Sequence, residues 1–221
     1  VIVDVQRAGP STGIPTKVEQ GDLMAALYGR HGEAPLVVLA ATTPGDCFNT
    51  ALEACRIAVT HRTPVIVLSD AYLANGTEPW KIPDVASLAS FEANFASAPN
   101  HEGADGSVEF WPYLRDPETL ARPWAPPGVA GLEHRIGGLE KSDGRGGVAY
   151  DGPNHEKMTH LRAEKIARVV RDIPDLAVDD PTGDASVLVL GWGGTYGSIV
   201  AGVARARALG RKVAHAQLRH L

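Results

Sequence analysis

The sequence has few of the residues that cross-link or ligate metals. Among its 221 residues there are only two cysteines, Cys47 and Cys55, and both lie in a segment with helical periodicity. Their spacing does not suit a disulfide framework, a zinc site or an iron–sulfur cluster, so we interpret both as small, partly buried apolar residues. The eight histidines show no metal-ligand spacing either. We therefore expect no metal site in this chain.

Clustered positive charge and long apolar runs are also absent. The chain carries 21 Lys and Arg against 26 Asp and Glu, a net charge of -5, and its basic residues are scattered. Nucleic acids and anionic membranes are bound by basic patches, which this sequence lacks. No apolar run approaches the ~20 residues of a membrane-spanning helix, and the N-terminus has no signal pattern. We expect no nucleic-acid partner, no membrane association and a cytoplasmic location.

Apolar strand patterns alternate with helical patterns in the first part of the chain. The predicted strands cover residues 1–5, 36–41 and 65–68, and the predicted helices cover 16–28 and 47–60. Strands that are apolar throughout and alternate with helices are typical of a parallel sheet covered on both faces. The sequence therefore predicts an α/β fold.

The composition changes twice along the chain, which predicts three regions: 1–97, 98–183 and 184–221. The middle region is rich in Gly, Pro and Asn and indicates an irregular connector, with a glycine-rich hairpin at 141–147 and a helix at 154–171. Met158, Leu161, Ile166 and Val169 form an apolar stripe on that helix. The last region reads as a strand–helix–strand unit that opens a second domain. Because the chain starts and ends in strand patterns and lacks an initiator Met, we expect it to be a piece of a longer protein.

A glycine-rich turn at 191–197 (GWGGTYG) follows a predicted strand and precedes a predicted helix. This arrangement resembles the GxGxxG fingerprint of dinucleotide-binding domains. The match is incomplete, because Tyr196 stands where the third glycine is needed and the next strand ends without an acidic residue for a ribose. We favour a tight turn that requires small residues, and a nucleotide-binding dehydrogenase domain remains an alternative.

Arg7 is the strongest candidate for a binding residue. The first predicted strand ends just before it, and open α/β sheets bind ligands at the carboxyl ends of their strands. A guanidinium can bind a carboxylate through two parallel hydrogen bonds, and the adjacent turn adds the hydroxyls of Ser11 and Thr12. These residues predict a site for an anionic, oxoacid-like substrate. The alternative is a surface ion pair for Arg7 and a helix cap for Ser11 or Thr12.

Several segments closely resemble the alpha subunits of 2-oxoacid:ferredoxin oxidoreductases. They fall in that family's order and spacing along nearly the whole chain: 5–17 (VQRAGPSTGIPTK), 43–48 (TPGDCF), 68–76 (LSDAYLANG), 78–80 (EPW), 122–124 (RPW), 127–128 (PG), 138–140 (GLE), 154–156 (NHE) and 191–197. The resemblance implies a thiamine-diphosphate-dependent enzyme, of the 2-oxoglutarate type, that converts a 2-oxoacid to acyl-CoA and passes electrons to ferredoxin.

The resemblance also implies a division of labour between subunits. The alpha subunit would supply the pyrimidine-binding domain for thiamine diphosphate, here its C-terminal half at 1–97, followed by the connector and the start of a transketolase C-terminal-like domain. The beta subunit would hold the diphosphate and Mg²⁺, and any iron–sulfur cluster would lie in partner subunits. Coenzyme A and the 2-oxoacid would be the substrates.

At the level of residues, the resemblance implies that Arg7 holds the substrate carboxylate, with Ser11 and Thr12 beside it. The loop 42–48 would lie near the cofactor, with Asp46 as a cofactor-binding residue. We expect no catalytic residue in this chain, because the family's Tyr-Pro-Ile-Thr-Pro segment and the glutamate that activates the aminopyrimidine are expected upstream of Val1. A non-catalytic subunit that only buttresses a partner is the remaining alternative. Asp70 is expected to act as a turn or cap residue.

Overall fold

The computed structural model describes residues 1–11 and 13–221. The first part of the chain contains β1 (Ile2–Gln6), α1 (Gly21–Tyr28), β2 (Val37–Ala40), α2 (Asp46–His61), β3 (Val65–Asp70) and α3 (Ala71–Asn75). The middle part contains β4 (His101–Glu102), β5 (Val108–Glu109) and α4 (Gly152–Arg168). The last part contains β6 (Val178–Asp179), β7 (Val187–Trp192), α5 (Tyr196–Ala208) and β8 (Val213–Leu218). Short 3-10 turns occur at Val85–Ser87, Val169–Asp172 and Gly193–Thr195.

The first sheet has the strand order β1-β3-β2, and both of its pairings are parallel. Ile66 of the central strand lies opposite Ile2 on one side and Val38 on the other. Parallel strands need crossover connections, and α1 and α2 lie in the connections that lead from β1 to β2 and from β2 to β3. The predicted α/β fold with a parallel sheet is confirmed.

Helices cover both faces of this sheet. On one face, residues of β2 and β3 pack against α2 and against Val169 after α4, in a cluster of Val37, Leu39, Ala54, Ile57, Val65, Val67 and Val169. On the other face Val38, Ala40 and Leu68 pack against Ala26 of α1. The stripe predicted on α4 takes part, because Met158 and Val169 are buried and Ile166 packs against the first cluster. Two-sided burial explains why β2 and β3 are apolar at almost every position.

The second sheet has the order β6-β8-β7, with β7 and β8 parallel and β6 antiparallel to β8. The elements β7, α5 and β8 form the strand–helix–strand unit that the sequence predicts. β6 was not predicted, because a strand of two residues has no periodicity to detect. It lies before residue 184, within the predicted connector, and still pairs with the second sheet. The three-region division stays a prediction.

The two sheets are joined through the residues that follow β8. Residues 219–221 run antiparallel to β2, where the Ala40 N–H donates to the Arg219 carbonyl at 2.8 Å. The Leu221 N–H donates to the Val38 carbonyl at 3.0 Å. The Leu221 side chain also packs against the cluster beneath α1. The last part of the chain therefore extends the first sheet beyond β2.

One arginine, Arg62, links α2 to irregular segments within and just before the predicted connector. Arg62 ends α2 in a left-handed conformation (φ 50°). Its guanidinium donates to the Arg122 carbonyl of the connector at 2.5 Å, and to the carbonyls of Ala93 at 2.8 Å and Asn94 at 2.9 Å just before the connector. It also lies 5.2 Å from the ring centroid of Trp124. The Lys165 amine of α4 donates to the Arg62 carbonyl at 3.1 Å. Arg62 is thus the point where α2, α4 and the connector meet.

The start of α1 differs from the prediction, because the helix begins at Gly21 rather than at residue 16. The segment before it folds back on the loop that follows β1. There the Ala8 N–H donates to the Lys17 carbonyl at 2.7 Å, and the Ile14 N–H donates to the Ala8 carbonyl at 3.0 Å. The tertiary hydrogen bond to Lys17 competes with a first helical turn that the local sequence would favour.

Candidate functional site

The carboxyl ends of the three parallel strands meet at one edge of the first sheet. Gln6, at the end of β1, lies opposite Asp70, at the end of β3, and β2 ends beside them at Ala40. The loops that leave this edge begin at Arg7 and Thr42. Open α/β sheets bind their ligands at such an edge, so these two loops form the candidate site.

The Arg7 loop is fixed through its backbone, while the guanidinium makes no hydrogen bond or ion pair with any residue the structure describes. The Arg7 N–H donates to Asp22 Oδ2 at 3.0 Å, and the Gly9 N–H donates to Glu19 Oε1 at 3.1 Å. Gly13 closes the loop in a left-handed conformation (φ 51°), where a Cβ atom would overlap the Ala8 carbonyl. The side chain of Arg7 is exposed beside these backbone contacts.

A cleft of about 630 Å³ lies along the outer side of β1, and both Arg7 and Ser11 line it. Asp4 and Asp22 line it too. Burial raises the pKa of Asp4, and the charge of Asp22 raises it further. The structure therefore brings together two of the three predicted substrate-binding residues, Arg7 and Ser11. The third, Thr12, lies outside the described residues.

Asp46 is the first residue of α2, and its carboxylate is already engaged. Its Oδ2 atom accepts hydrogen bonds from the Thr42 N–H at 3.0 Å and from the Thr42 hydroxyl at 2.8 Å, and its Oδ1 atom pairs with Arg219. Because Asp46 shapes the loop 42–48 from within, its position is explained without a ligand. Contact between Asp46 and the cofactor stays a prediction.

Sequence reasoning missed the charged residues that surround Asp46. Arg219 Nη1 donates to Glu53 Oε2 at 3.0 Å, and His220 Nε2 lies 2.8 Å from Glu53 Oε1. Burial alone would raise the pKa of Glu53, but the hydrogen bonds from His220 and Arg219 outweigh it and hold that pKa below its ordinary value. The pattern Arg219-His220 after a strand gave no sign of these contacts, since the carboxylates are 166 or more residues away.

The other side of the same loop is held by the segment after α3. Glu78 Oε1 accepts hydrogen bonds from the Thr43 hydroxyl at 2.7 Å and from the Gly45 N–H. The ring of Trp80 lies 5.3 Å from that of Phe48. A Cβ atom on Gly45 would overlap the Glu78 carboxylate and lie 2.8 Å from Trp80 Cδ1. Gly45 is therefore required for the close approach of these two segments.

Asp70 caps α3, as predicted, because its Oδ1 atom accepts a hydrogen bond from the Leu73 N–H at 2.9 Å. Its other oxygen faces the glycine-rich turn, where a Cβ atom on Gly194 would overlap it. At the start of the turn, Gly191 packs against Ile199 and Gln217. Close packing thus explains Gly191 and Gly194, and a left-handed conformation (φ 62°) explains Gly193, which agrees with the interpretation of a tight turn.

Neither a metal-ligand cluster nor a membrane-spanning helix occurs in the described part of the chain. In residues 1–11 and 13–221, no three His, Cys, Asp or Glu side chains are grouped as a metal site would require. Within the same part of the chain, every helix is too short or too polar to cross a membrane.

At the sheet edge, Asp46, Asp70 and Glu78 each accept hydrogen bonds from the protein. These three carboxylates are therefore already engaged by the protein.

Comparison with protein families gives a match over residues 1–148. The matching family is described as "Pyruvate flavodoxin/ferredoxin oxidoreductase, thiamine diP-bdg". The matched region includes the first sheet, both candidate loops and Arg62. It covers more than half of the chain.

Individual relatives extend the similarity to the whole chain. The chain is 56% identical over 221 residues to the 2-oxoglutarate oxidoreductase subunit KorA of Mycobacterium tuberculosis. That alignment covers 100% of the chain and 32% of the relative. It is 31% identical over 224 residues to the alpha subunit of 2-oxoacid:ferredoxin oxidoreductase 1 of Aeropyrum pernix, covering 100% of the chain and 33% of the relative. The chain thus spans about a third of the length of these curated relatives.

A solved structure has the same fold. The 2-oxoglutarate:ferredoxin oxidoreductase of Magnetococcus marinus, solved with 2-oxoglutarate, coenzyme A and succinyl-CoA bound, superposes with a TM-score of 0.82 at 33% identity. The alignment covers 98% of this chain and 36% of that one. The similarity therefore includes the connector and the second sheet as well as the parallel sheet.

Proposed function

Because this chain belongs to the family of thiamine-diphosphate-binding domains of pyruvate flavodoxin/ferredoxin oxidoreductases, we propose that it forms part of an alpha subunit of a 2-oxoacid:ferredoxin oxidoreductase. In the proposed reaction a 2-oxoacid is oxidatively decarboxylated to acyl-CoA, and the electrons pass to ferredoxin. 2-Oxoglutarate is the proposed substrate, because it is named both in the Mycobacterium tuberculosis relative and in the Magnetococcus marinus structure.

A single observation carries the role of this chain in that reaction. Arg7 lies at the carboxyl end of β1, is exposed, and has no partner for its guanidinium among the described residues. Its backbone N–H donates to Asp22, which fixes where the side chain leaves the loop. We assign Arg7 to the substrate carboxylate, which it would bind through charge-assisted hydrogen bonds. Ser11 lines the same cleft and would add a hydroxyl, and Thr12 is kept as a third candidate.

The cofactor belongs to the same proposal. Thiamine diphosphate supplies the carbon nucleophile for decarboxylation when bound, and the protein orients it. In this chain the loop 42–48 would form one wall beside the pyrimidine, with Asp46 as the residue proposed to face it. The diphosphate, Mg²⁺ and the iron–sulfur cluster are assigned to partner subunits, with a beta subunit and ferredoxin as protein partners. A cytoplasmic location is also proposed, and cell fractionation would test it.

Substitution of Arg7 tests the assignment. In the purified enzyme with all of its subunits, Arg7→Ala should lower kcat/KM for 2-oxoglutarate at least tenfold, since a charge-assisted hydrogen bond is worth about 1.5–3 kcal/mol. Arg7→Lys should fall in between, because an ammonium keeps the charge but not the planar fork. Turnover would be followed by reduction of a viologen dye in the presence of coenzyme A.

The matched control is Arg205→Ala, because Arg205 is an exposed arginine of α5 whose guanidinium likewise has no partner among the described residues. It should leave kcat/KM within twofold of the parent enzyme. Equal kinetics for Arg7→Ala and Arg205→Ala would remove Arg7 from substrate binding. Decarboxylation that survives removal of the alpha subunit would instead favour a buttressing role, and saturable binding of NAD or NADP would favour the dehydrogenase alternative.

A further inference from the structure

The loop 42–48 is held on one side by a network that reaches across the chain from the second sheet. Asp46 fixes the start of the loop, because its Oδ2 atom accepts from both the N–H and the hydroxyl of Thr42. The Thr50 hydroxyl lies 3.4 Å from the same oxygen. The other oxygen of Asp46 pairs with Arg219. The conformation of the loop thus depends on how the Asp46 carboxylate is oriented.

Arg219 is itself strongly fixed. Its guanidinium bridges two carboxylates, Asp46 and Glu53, whose side chains are only 13% and 15% exposed. Its carbonyl accepts a hydrogen bond from the Ala40 N–H at 2.8 Å, at the end of β2 where the loop begins. Low exposure makes this arrangement costly to break, since loss of one partner leaves partly buried carboxylates without a counter-charge.

We propose that Arg219 is a positioning residue, which acts through Asp46 to hold the loop 42–48 at the edge where substrate and cofactor meet. The inference rests on the proposed function, because it takes that edge to be the active site. Arg219 orients Asp46 because its guanidinium bridges two carboxylates of α2, Asp46 and Glu53. It also offsets their negative charge beside a site for anionic molecules. Small displacements of groups that line an active site lower turnover even when substrate binding persists.

The first test measures the loop directly, by hydrogen exchange of the peptide that covers residues 40–48 in the purified enzyme. Arg219→Gln should speed exchange in this peptide at least tenfold, because the Asp46 carboxylate is released. Arg207→Gln is the matched control, since Arg207 pairs with Asp179 and donates to the Val213 carbonyl in the second sheet, away from the loop. Exchange at 40–48 should remain unchanged in this control. Unchanged exchange in Arg219→Gln would overturn the proposal.

The second test separates positioning from substrate binding. Arg219→Gln should lower kcat at least fivefold and change KM for 2-oxoglutarate less than twofold, whereas Arg7→Ala should act mainly through KM. Arg219→Lys, which keeps the charge and one carboxylate partner, should recover part of kcat. A rise in KM with kcat unchanged, or equal kcat in Arg219→Gln and Arg207→Gln, would contradict a positioning role.

A double-mutant cycle tests whether the effect passes through Asp46. Asp46→Asn keeps an oxygen for Thr42 but breaks the ion pair, so it should lower kcat on its own, and Asp46→Asn with Arg219→Gln should be within twofold of the more impaired single variant. Independent, multiplying effects would overturn the proposal, as would parental kcat in Asp46→Asn. If Arg219→Gln does not fold, the kcat of Asp46→Asn alone still tests whether the Asp46–Arg219 ion pair is needed for turnover. If loop exchange responds as expected while the purified enzyme does not oxidise 2-oxoglutarate, the proposed function fails and the loop contact stands.

Discussion

Loss of the Arg62 side chain should release the connector from α2. Arg62→Met loses three hydrogen bonds from the guanidinium, to one carbonyl in the connector and two just before it, together with the contact to the Trp124 ring. Each charged hydrogen bond is worth about 1.5–3 kcal/mol and the cation–π contact about 0.5–1 kcal/mol. The sum overstates the effect, because burial and the neighbouring Arg122 disfavour the charged form of Arg62 and lower its pKa. We expect a net loss of about 3 kcal/mol.

Hydrogen exchange gives the appropriate assay, since the effect is local. The Ala96 N–H donates to the Trp124 carbonyl at 2.7 Å, so it reports on whether the connector stays closed beside Arg62. A loss of about 3 kcal/mol corresponds to exchange roughly 100-fold faster when opening is local. Arg56→Met provides the control, because within the described residues Arg56 makes one hydrogen bond, to the Asp172 carbonyl at 2.9 Å, and its loss should change exchange little. Exchange at Ala96 within threefold of the parent protein in Arg62→Met would refute the reasoning.

Two further predictions concern Lys165 and Gly45. Burial, with Arg115 and Arg122 nearby, lowers the pKa of Lys165 from 10.5 to about 8, so the folded protein releases this proton before the unfolded chain does. Stability should therefore rise with pH between about 8 and 10.5 by about 1–2 kcal/mol, relative to Lys165→Met in urea unfolding, and parallel pH profiles would contradict this. Gly45→Ala should cost about 1–2 kcal/mol through overlap with Glu78 and Trp80. The cost should shrink in a Glu78→Ala background, and an equal cost in both backgrounds would exclude Glu78 as its source.

The candidate site was predictable only in part. Arg7 could be selected from the sequence, because an apolar strand that runs into a glycine-rich turn identifies the carboxyl end of a parallel strand. The family resemblance identified the loop 42–48. It did not reveal that Asp46 is engaged by Thr42 and Arg219, because a short acidic side chain at a helix start has the same local signature whether it binds a ligand or the protein itself.

The sequence by itself determined the α/β class, the parallel sheet and the turn interpretation of residues 191–197. Burial on both faces makes such strands apolar at nearly every position, and that pattern is local. Tertiary structure alone decided where α1 begins, since Lys17 bonds to Ala8 across the loop. It also decided that Arg219 reaches Asp46, 173 residues away in sequence. Ion pairs of this kind leave no periodic signal, because they depend on which distant segments the fold brings together rather than on the residues that flank them.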